Sequence, residues 1–303
     1  MSDPSERLRN FQAKHIFLVG IDSDGCAFDT MEVKHKECFI PNTINEWNLQ
    51  AVSKFARAAA EFVNLYSKWR GINRFPALLR TFDLLADWPE VKKRGVGIPE
   101  VPNLRHWVKT ETKLANPALE AATNATGHRD LLQALRWSKA VNESIERTVR
   151  GVPPFPFVRE SLDKLAVAAD IIVVSATPGE ALHREWKEHG IDRFAAVIAG
   201  QEMGAKKQHL AWASADRYER DHVLMIGDAP GDLEAAQANG ALFYPINPGA
   251  EDASWERFCN EAFDRFVRGE FAGEYQERLI QEFERYLPEQ PPWTVTDSKT
   301  AIA

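Results

Sequence analysis

Cysteine is scarce. Cys26, Cys38 and Cys259 are the only three in 303 residues, and their wide spacing fits neither a disulfide framework nor a zinc site. A reducing, cytoplasmic setting is the expected one. No apolar run approaches the length needed to cross a bilayer, and the opening MSDPSERLRN has no signal-peptide core. An excess of positive charge is missing too: the net charge is −7, which argues against broad nucleic-acid binding. No internal repeat is found. The eight histidines show no metal-ligand spacing, and His183 and His209 fall on expected helices as structural residues.

What is present is an ordinary globular composition, 44% hydrophobic and 27% charged, in a chain long enough for two domains. The charge is uneven. Residues 33–150 hold 19 Lys and Arg against 12 Asp and Glu, suited to an anionic small molecule or to a solvated helical surface. That segment reads as helical. Thr43 and Glu46 have capping-box spacing, and Val52, Phe55, Ala59, Phe62, Tyr66 and Trp69 form one apolar stripe on a long helix ending near Gly71. A last helix is expected from about 128 to 150. Trp47, Trp69, Trp88, Trp107 and Trp137 are expected mainly in its core. Arg70, Arg74, Lys92, Lys93, Arg94, Arg105 and Lys109 are expected mostly as solvated surface.

GVPPFP at 151–156 is a loop and a domain boundary. Beyond it the pattern alternates. Helices at 157–168, 179–189, 205–215 and 231–239 separate strands at 171–175, 195–199, 222–227 and 242–246. Such alternation implies a parallel sheet with helices on both faces. The run at 16–22 has the same continuously apolar character as those strands. The expected architecture is therefore an α/β core of Rossmann-like, three-layer type. It comprises residues 1–32 and 151–250, with an all-helical insertion over 33–150. A C-terminal helical extension follows over 251–288, then an irregular tail over 289–303.

Reactive groups in such sheets collect past the C-terminal strand ends, and four strand ends here carry polar residues of complementary kinds. IFLVGIDSDG brings Asp22 and Asp24. VVSAT brings Ser175 and Thr177. GAKK brings Lys206 and Lys207, and IGDAPGD brings Asp228 and Asp232. Carboxylates gathered at one edge repel each other without a cation. A hard divalent ion with oxygen ligands neutralises them, and Mg²⁺ prefers one or two carboxylates plus phosphate. Lysine and hydroxyl groups suit phosphate oxygens. Asp22 can then act as a nucleophile on phosphorus, with Asp24 handling the leaving oxygen's proton. DSDG is not an EF-hand loop, because its glycine is fourth rather than sixth and a strand precedes it.

These motifs, IDSDG (21–25), VVSAT (173–177), GAKK (204–207) and IGDAPGD (226–232), resemble in order those of the haloacid dehalogenase superfamily of phosphohydrolases and phosphomutases. The resemblance covers residues 16–32 and about 151–246, and the insertion sits where that family often carries its cap domain. It implies that Asp22 is the nucleophile forming a phospho-aspartate, and that Asp24 is general acid and then base. Ser175 would hold the transferring phosphoryl group, with Thr177 in reserve. Lys206, favoured over Lys207, would neutralise its charge. Asp228 would bind Mg²⁺ with the Asp22 carboxylate and the Asp24 backbone carbonyl, and Asp232 would support the metal shell.

An aspartate at position 24 fits phosphate esters, since dehalogenases of the superfamily lack a carboxylate there, and phosphonate-cleaving members resemble this chain less. Cys26 and Ala27 stand where branched residues are more usual, without an expected loss of function. The resemblance implies a small phosphorylated substrate, with no nucleic-acid or membrane partner and no particular oligomeric state. DGCAFDT (24–30) also resembles the corresponding run of β-phosphoglucomutases, including Asp29 and Thr30, so a sugar-phosphate mutase is the alternative. A non-catalytic binding protein would have lost a motif aspartate or the lysine, and none is lost.

Overall fold

The run FLVGI has no polar residue to turn outward, and Phe17–Ile21 forms strand β1 with every position buried. The computed structural model describes residues 3–294. It continues with β2 (Ala169–Val174), β3 (Val197–Ala199), β4 (Val223–Gly227) and β5 (Leu242–Pro245). All pair in parallel in the order β3-β2-β1-β4-β5. Alternate residues supply two apolar layers, as the two-residue period of a strand requires. Val19 and Ile21 join Val158, Leu162, Trp186 and Trp255 on one face. Leu18 and Val174 join Leu210, Ala236 and Phe283 on the other. The strand order reverses between β1 and β4, which opens the crevice where such sheets bind ligands.

The chain divides into two compact units. The sheet unit runs to Met31 and resumes over Gly151–Leu287. The C-terminal helices expected as an extension thus belong with the sheet. Trp255, Phe258 and Phe266 enter one of its cores. The helix Glu274–Tyr286 covers the edge strand β5, where the Gln276 side chain accepts the Phe243 N–H at 2.8 Å. An edge strand's free N–H is otherwise a template for unwanted pairing.

Among the described residues, the second unit comprises Glu32–Arg150 together with residues 288–294. Its core is built on the helices Ser53–Leu65, Arg74–Asp87 and Arg129–Thr148. Trp47, Trp88, Trp107 and Trp137 are buried there, and Trp69 packs against its margin. Three expectations are corrected. Thr43 and Glu46 do not start a helix but end one, Ile40–Glu46. The Thr43 hydroxyl donates to the Phe39 carbonyl at 2.8 Å and accepts the Trp137 indole N–H at 3.0 Å. The apolar stripe is not one helix to Gly71, because the helix closes at Leu65 and Tyr66 leaves helical geometry. Arg70 is not solvated: it is 3% exposed and donates to the Leu65 carbonyl at 2.8 Å.

The tail expected to be irregular over 289–303 lies outside the described residues from 295. Its described part is anchored to the helical unit. Trp293 stacks on Trp88 with ring centroids 4.1 Å apart and meets Phe62 edge-on, while Lys68 pairs with Glu289. Trp293→Ala is therefore expected to destabilise the helical unit by about 1–3 kcal/mol, less than the full cost of a wholly buried aromatic because Trp293 is only partly buried. Thermal unfolding followed by tryptophan fluorescence checks it. Among the described residues no helix is long and apolar enough to cross a membrane.

Candidate active site

The parallel register sets the first contact of the site. Ile21 lies beside Ile226, so the chain leaves β1 next to the end of β4, and Asp22 N–H donates to the Ile226 carbonyl at 3.0 Å. Asp22 and Asp228 therefore emerge side by side. Asp232 reaches the same place from the helix Pro230–Asn239, where Pro230 occupies the first turn as proline favours. One Asp232 oxygen caps that helix by accepting the Ala229 N–H at 3.1 Å. Asp22, Asp228 and Asp232 are all buried, and each offers an oxygen within 4.8 Å of the others.

Lys206 opens the helix Lys206–Ser214 and supplies the counter-charge. Its ammonium donates to Asp22 and to Asp232, both at 2.7 Å. Burial alone would lower the Lys206 pKa, but Asp22, Asp232 and Asp228 together outweigh it and hold the group protonated. Burial pushes the Asp232 carboxyl up to about 6, Asp22 adds to the rise, and Lys206 offsets it only in part. Three carboxylates facing one ammonium leave the cluster short of positive charge. A hard divalent cation with oxygen ligands fits that donor set. Lys207 is exposed, and its carbonyl accepts from the Asn239 side chain at 3.0 Å.

Asp24 stands apart from the carboxylate cluster. The Thr177 hydroxyl donates to one of its oxygens at 2.6 Å and the Thr30 hydroxyl to the other. Thr177, read from the sequence as a reserve phosphate ligand, is here a partner of Asp24. Thr30 has no role in the motif reading beyond its place in DGCAFDT. Ser175 directly follows β2, is buried, and accepts the Thr177 N–H on its hydroxyl oxygen at 3.2 Å. Its own hydrogen remains to donate. The loops after β2 and β3 touch. Gln201 N–H donates to the Thr177 carbonyl at 3.0 Å, and a Cβ on Gly200 would fall 2.5 Å from the Gly179 nitrogen.

Gly227 has the same importance beneath Asp232. A Cβ there would lie 2.3 Å from the Asp232 Cβ, so any side chain evicts the carboxylate from its place beside Lys206. Gly227→Ala is expected to lower turnover about a hundredfold, the usual penalty for an ångström-scale displacement, with an unchanged far-ultraviolet circular dichroism spectrum. His209 is fully buried behind Lys206, and burial pushes its imidazole down to about 4, so it is a neutral packing residue at physiological pH. Cys26 is buried, with its thiol raised well above the ordinary range by burial and the nearby carboxylates. That is the opposite of a reactive thiol's setting.

Residues 105–244 match the family described as haloacid dehalogenase-like hydrolase. The matched stretch contains Ser175, Thr177, Lys206, Asp228 and Asp232. It does not reach Asp22 and Asp24, which β1 sets against the same sheet edge. No curated protein sequence matches the chain. Among solved structures the chain is similar to a subfamily IA hydrolase of the superfamily from Geobacter sulfurreducens (16% identity, 77% of this chain and 90% of that one, TM-score 0.38). It is also similar to a haloacid dehalogenase-like family hydrolase from Streptococcus pneumoniae (14%, 80% and 91%, 0.42). A third is a hydrolase of the same family from Xanthomonas campestris (12%, 85% and 97%, 0.40). Likenesses at this level carry no substrate.

Proposed function

We propose that this chain, whose residues 105–244 match the haloacid dehalogenase-like hydrolase family, is a Mg²⁺-dependent phosphohydrolase of a small phosphorylated metabolite. The observation that carries the reading is the buried triad Asp22, Asp228 and Asp232 closed by the Lys206 ammonium. Such a set has little use in water but suits a dianionic phosphate and a divalent cation.

In this reading an Asp22 carboxylate oxygen attacks phosphorus. The P–O bond to the leaving group breaks, and Asp24 gives its proton to the departing oxygen. Water then attacks the phosphorus of the acyl phosphate, Asp24 takes the water's proton, and Asp22 is regenerated as phosphate leaves. The two threonine hydroxyls aim the Asp24 carboxyl, so its proton travels at a fixed angle. Lys206 holds Asp22 in line and spreads the charge of the transferring group. The Ser175 hydroxyl donates to a phosphoryl oxygen. When bound, Mg²⁺ held by Asp22, Asp228 and Asp232 supplies charge neutralisation at the phosphoryl oxygens.

The test is phosphate release from p-nitrophenyl phosphate and a panel of phosphorylated metabolites, with Mg²⁺ and with EDTA. Release that needs Mg²⁺ supports the proposal, and the best substrate names the class. Isomerisation of a sugar phosphate without phosphate release would make the chain a mutase using the same Asp22. No turnover of any kind by the folded, Mg²⁺-supplied protein would refute both.

A further inference from the structure

The residue between the two aspartates is a serine, and it does more than space them. Ser23 is fully buried. Its N–H donates to the Asp22 carboxylate at 2.7 Å. Its carbonyl collects the N–H groups of Cys26, Ala27 and Phe28 at 3.3, 2.9 and 3.1 Å. The backbone of one residue thus holds both the nucleophile and the turn that carries Asp24.

The Ser23 side chain is fixed in turn by the helix Gly179–Glu188. The Trp186 indole N–H donates to its oxygen at 3.0 Å, and its hydroxyl lies 3.0 Å from a Glu185 carboxylate oxygen. An indole N–H can only donate, so the Ser23 oxygen accepts from Trp186 and its single hydrogen goes to the Glu185 oxygen. A hydrogen bond to a carboxylate is the stronger kind, and this one sits beside a fully buried residue, where it is poorly screened. Trp255 grips the turn from another side, its indole N–H donating to the Cys26 carbonyl at 2.7 Å.

We propose that Glu185 is a positioning residue for the reaction. Acting through the Ser23 hydroxyl, it locks the turn that holds Asp22 and Asp24 at the end of β1. The inference rests on the phosphoryl-transfer reading above. Glu185 acts on the geometry of the reacting groups and not on the phosphate itself. Its removal then lowers the rate of the chemical step and leaves substrate binding nearly as it was.

The test uses full-length protein, p-nitrophenyl phosphate and saturating Mg²⁺. Ser23→Ala and Glu185→Ala are each expected to lower kcat about ten- to a hundredfold, with KM changed less than about threefold. Glu185→Gln keeps an acceptor and retains more activity than Glu185→Ala. Because one residue acts through the other, the double alanine variant is expected to be no slower than the slower single variant. Several results would overturn the proposal: losses that multiply in the double variant, a KM that rises by the same factor as kcat falls, or an unchanged kcat in either folded single variant. A wild type that turns over nothing refutes the phosphohydrolase reading instead. In that case amide hydrogen exchange decides the positioning claim, which demands faster exchange at residues 26–28 in Glu185→Ala and fails if those amides stay as protected as in the wild type.

Discussion

Asp22→Asn is expected to abolish phosphate release, by at least about 10⁴-fold, the scale on which removal of a nucleophile is felt. The amide is nearly isosteric with the carboxylate, so the Ser23 N–H at 2.7 Å keeps an oxygen to bond and the turn survives. What goes is the attacking electron pair of an anionic oxygen, and with it the phospho-aspartate. The substitution also removes one negative charge from a cluster of three carboxylates, so Mg²⁺ affinity falls too. Assays at saturating Mg²⁺ separate the two effects. Lost metal alone would be restored by excess Mg²⁺, whereas a lost nucleophile would not. Phosphate release at the wild-type rate from the asparagine variant would remove Asp22 from the mechanism.

Lys206→Met is expected to damage stability as well as activity. The ammonium is the hydrogen-bonded cation of Asp22 and Asp232, at 2.7 Å from each, and both carboxylates are buried. Removing one partner of a buried ion pair leaves uncompensated charge and costs about 3–5 kcal/mol.

The pH dependence follows from Asp232. Its carboxyl, at about 6 in the folded protein, is raised from an unfolded value near 3.8. The folded state therefore holds a proton that the unfolded state has released. The stability linked to this group is complete below about pH 4 and is lost as pH rises through 6. Without Lys206 the largest offset to the rise is gone and the Ala229 N–H is left to oppose it, so the loss deepens and moves to higher pH. The Mg²⁺ proposed for this site favours the folded state by mass action, so the thermal midpoint is expected to rise more with Mg²⁺ in the variant than in the wild type. Thermal melts at pH 5 and pH 8, with and without Mg²⁺, check this. A variant equally stable at both values would contradict the charge account of the site.

The sheet was legible because its strands are short, apolar on both faces and punctuated by glycine and proline. Each expected strand lies within two residues of an observed one at either end. Lys206 was legible by its distance from Gly204, and the structure brings it to Asp22 across 184 positions of chain. The errors share one cause, a local pattern overridden by a distant partner. Thr43 and Glu46 have capping-box spacing, but Thr43 bonds back within its helix and accepts from Trp137, 94 residues away. The stripe from Val52 to Trp69 keeps its three-and-four spacing after the helix has ended at Leu65, so periodicity alone ran past the boundary. Arg70 reads as surface because arginine usually is. Its burial depends on the turn that follows that helix end, where it donates to the Leu65 carbonyl. Ser23 and Glu185 sit 162 positions apart, and no local signal joins them. A serine between two motif aspartates was the only hint.

The central claim is that the phosphoryl group passes through Asp22. The most direct measurement is to mix the wild-type protein with a radiolabelled phosphorylated substrate, quench in acid within one turnover, and map the label. The account predicts a base-labile phosphoryl group on the peptide containing Asp22, absent in Asp22→Asn and, with p-nitrophenyl phosphate, whose leaving group needs no proton, accumulating in Asp24→Asn, where the second step has lost its base. Rapid turnover with no label on that peptide at any quench time would contradict it and assign the attack on phosphorus to water.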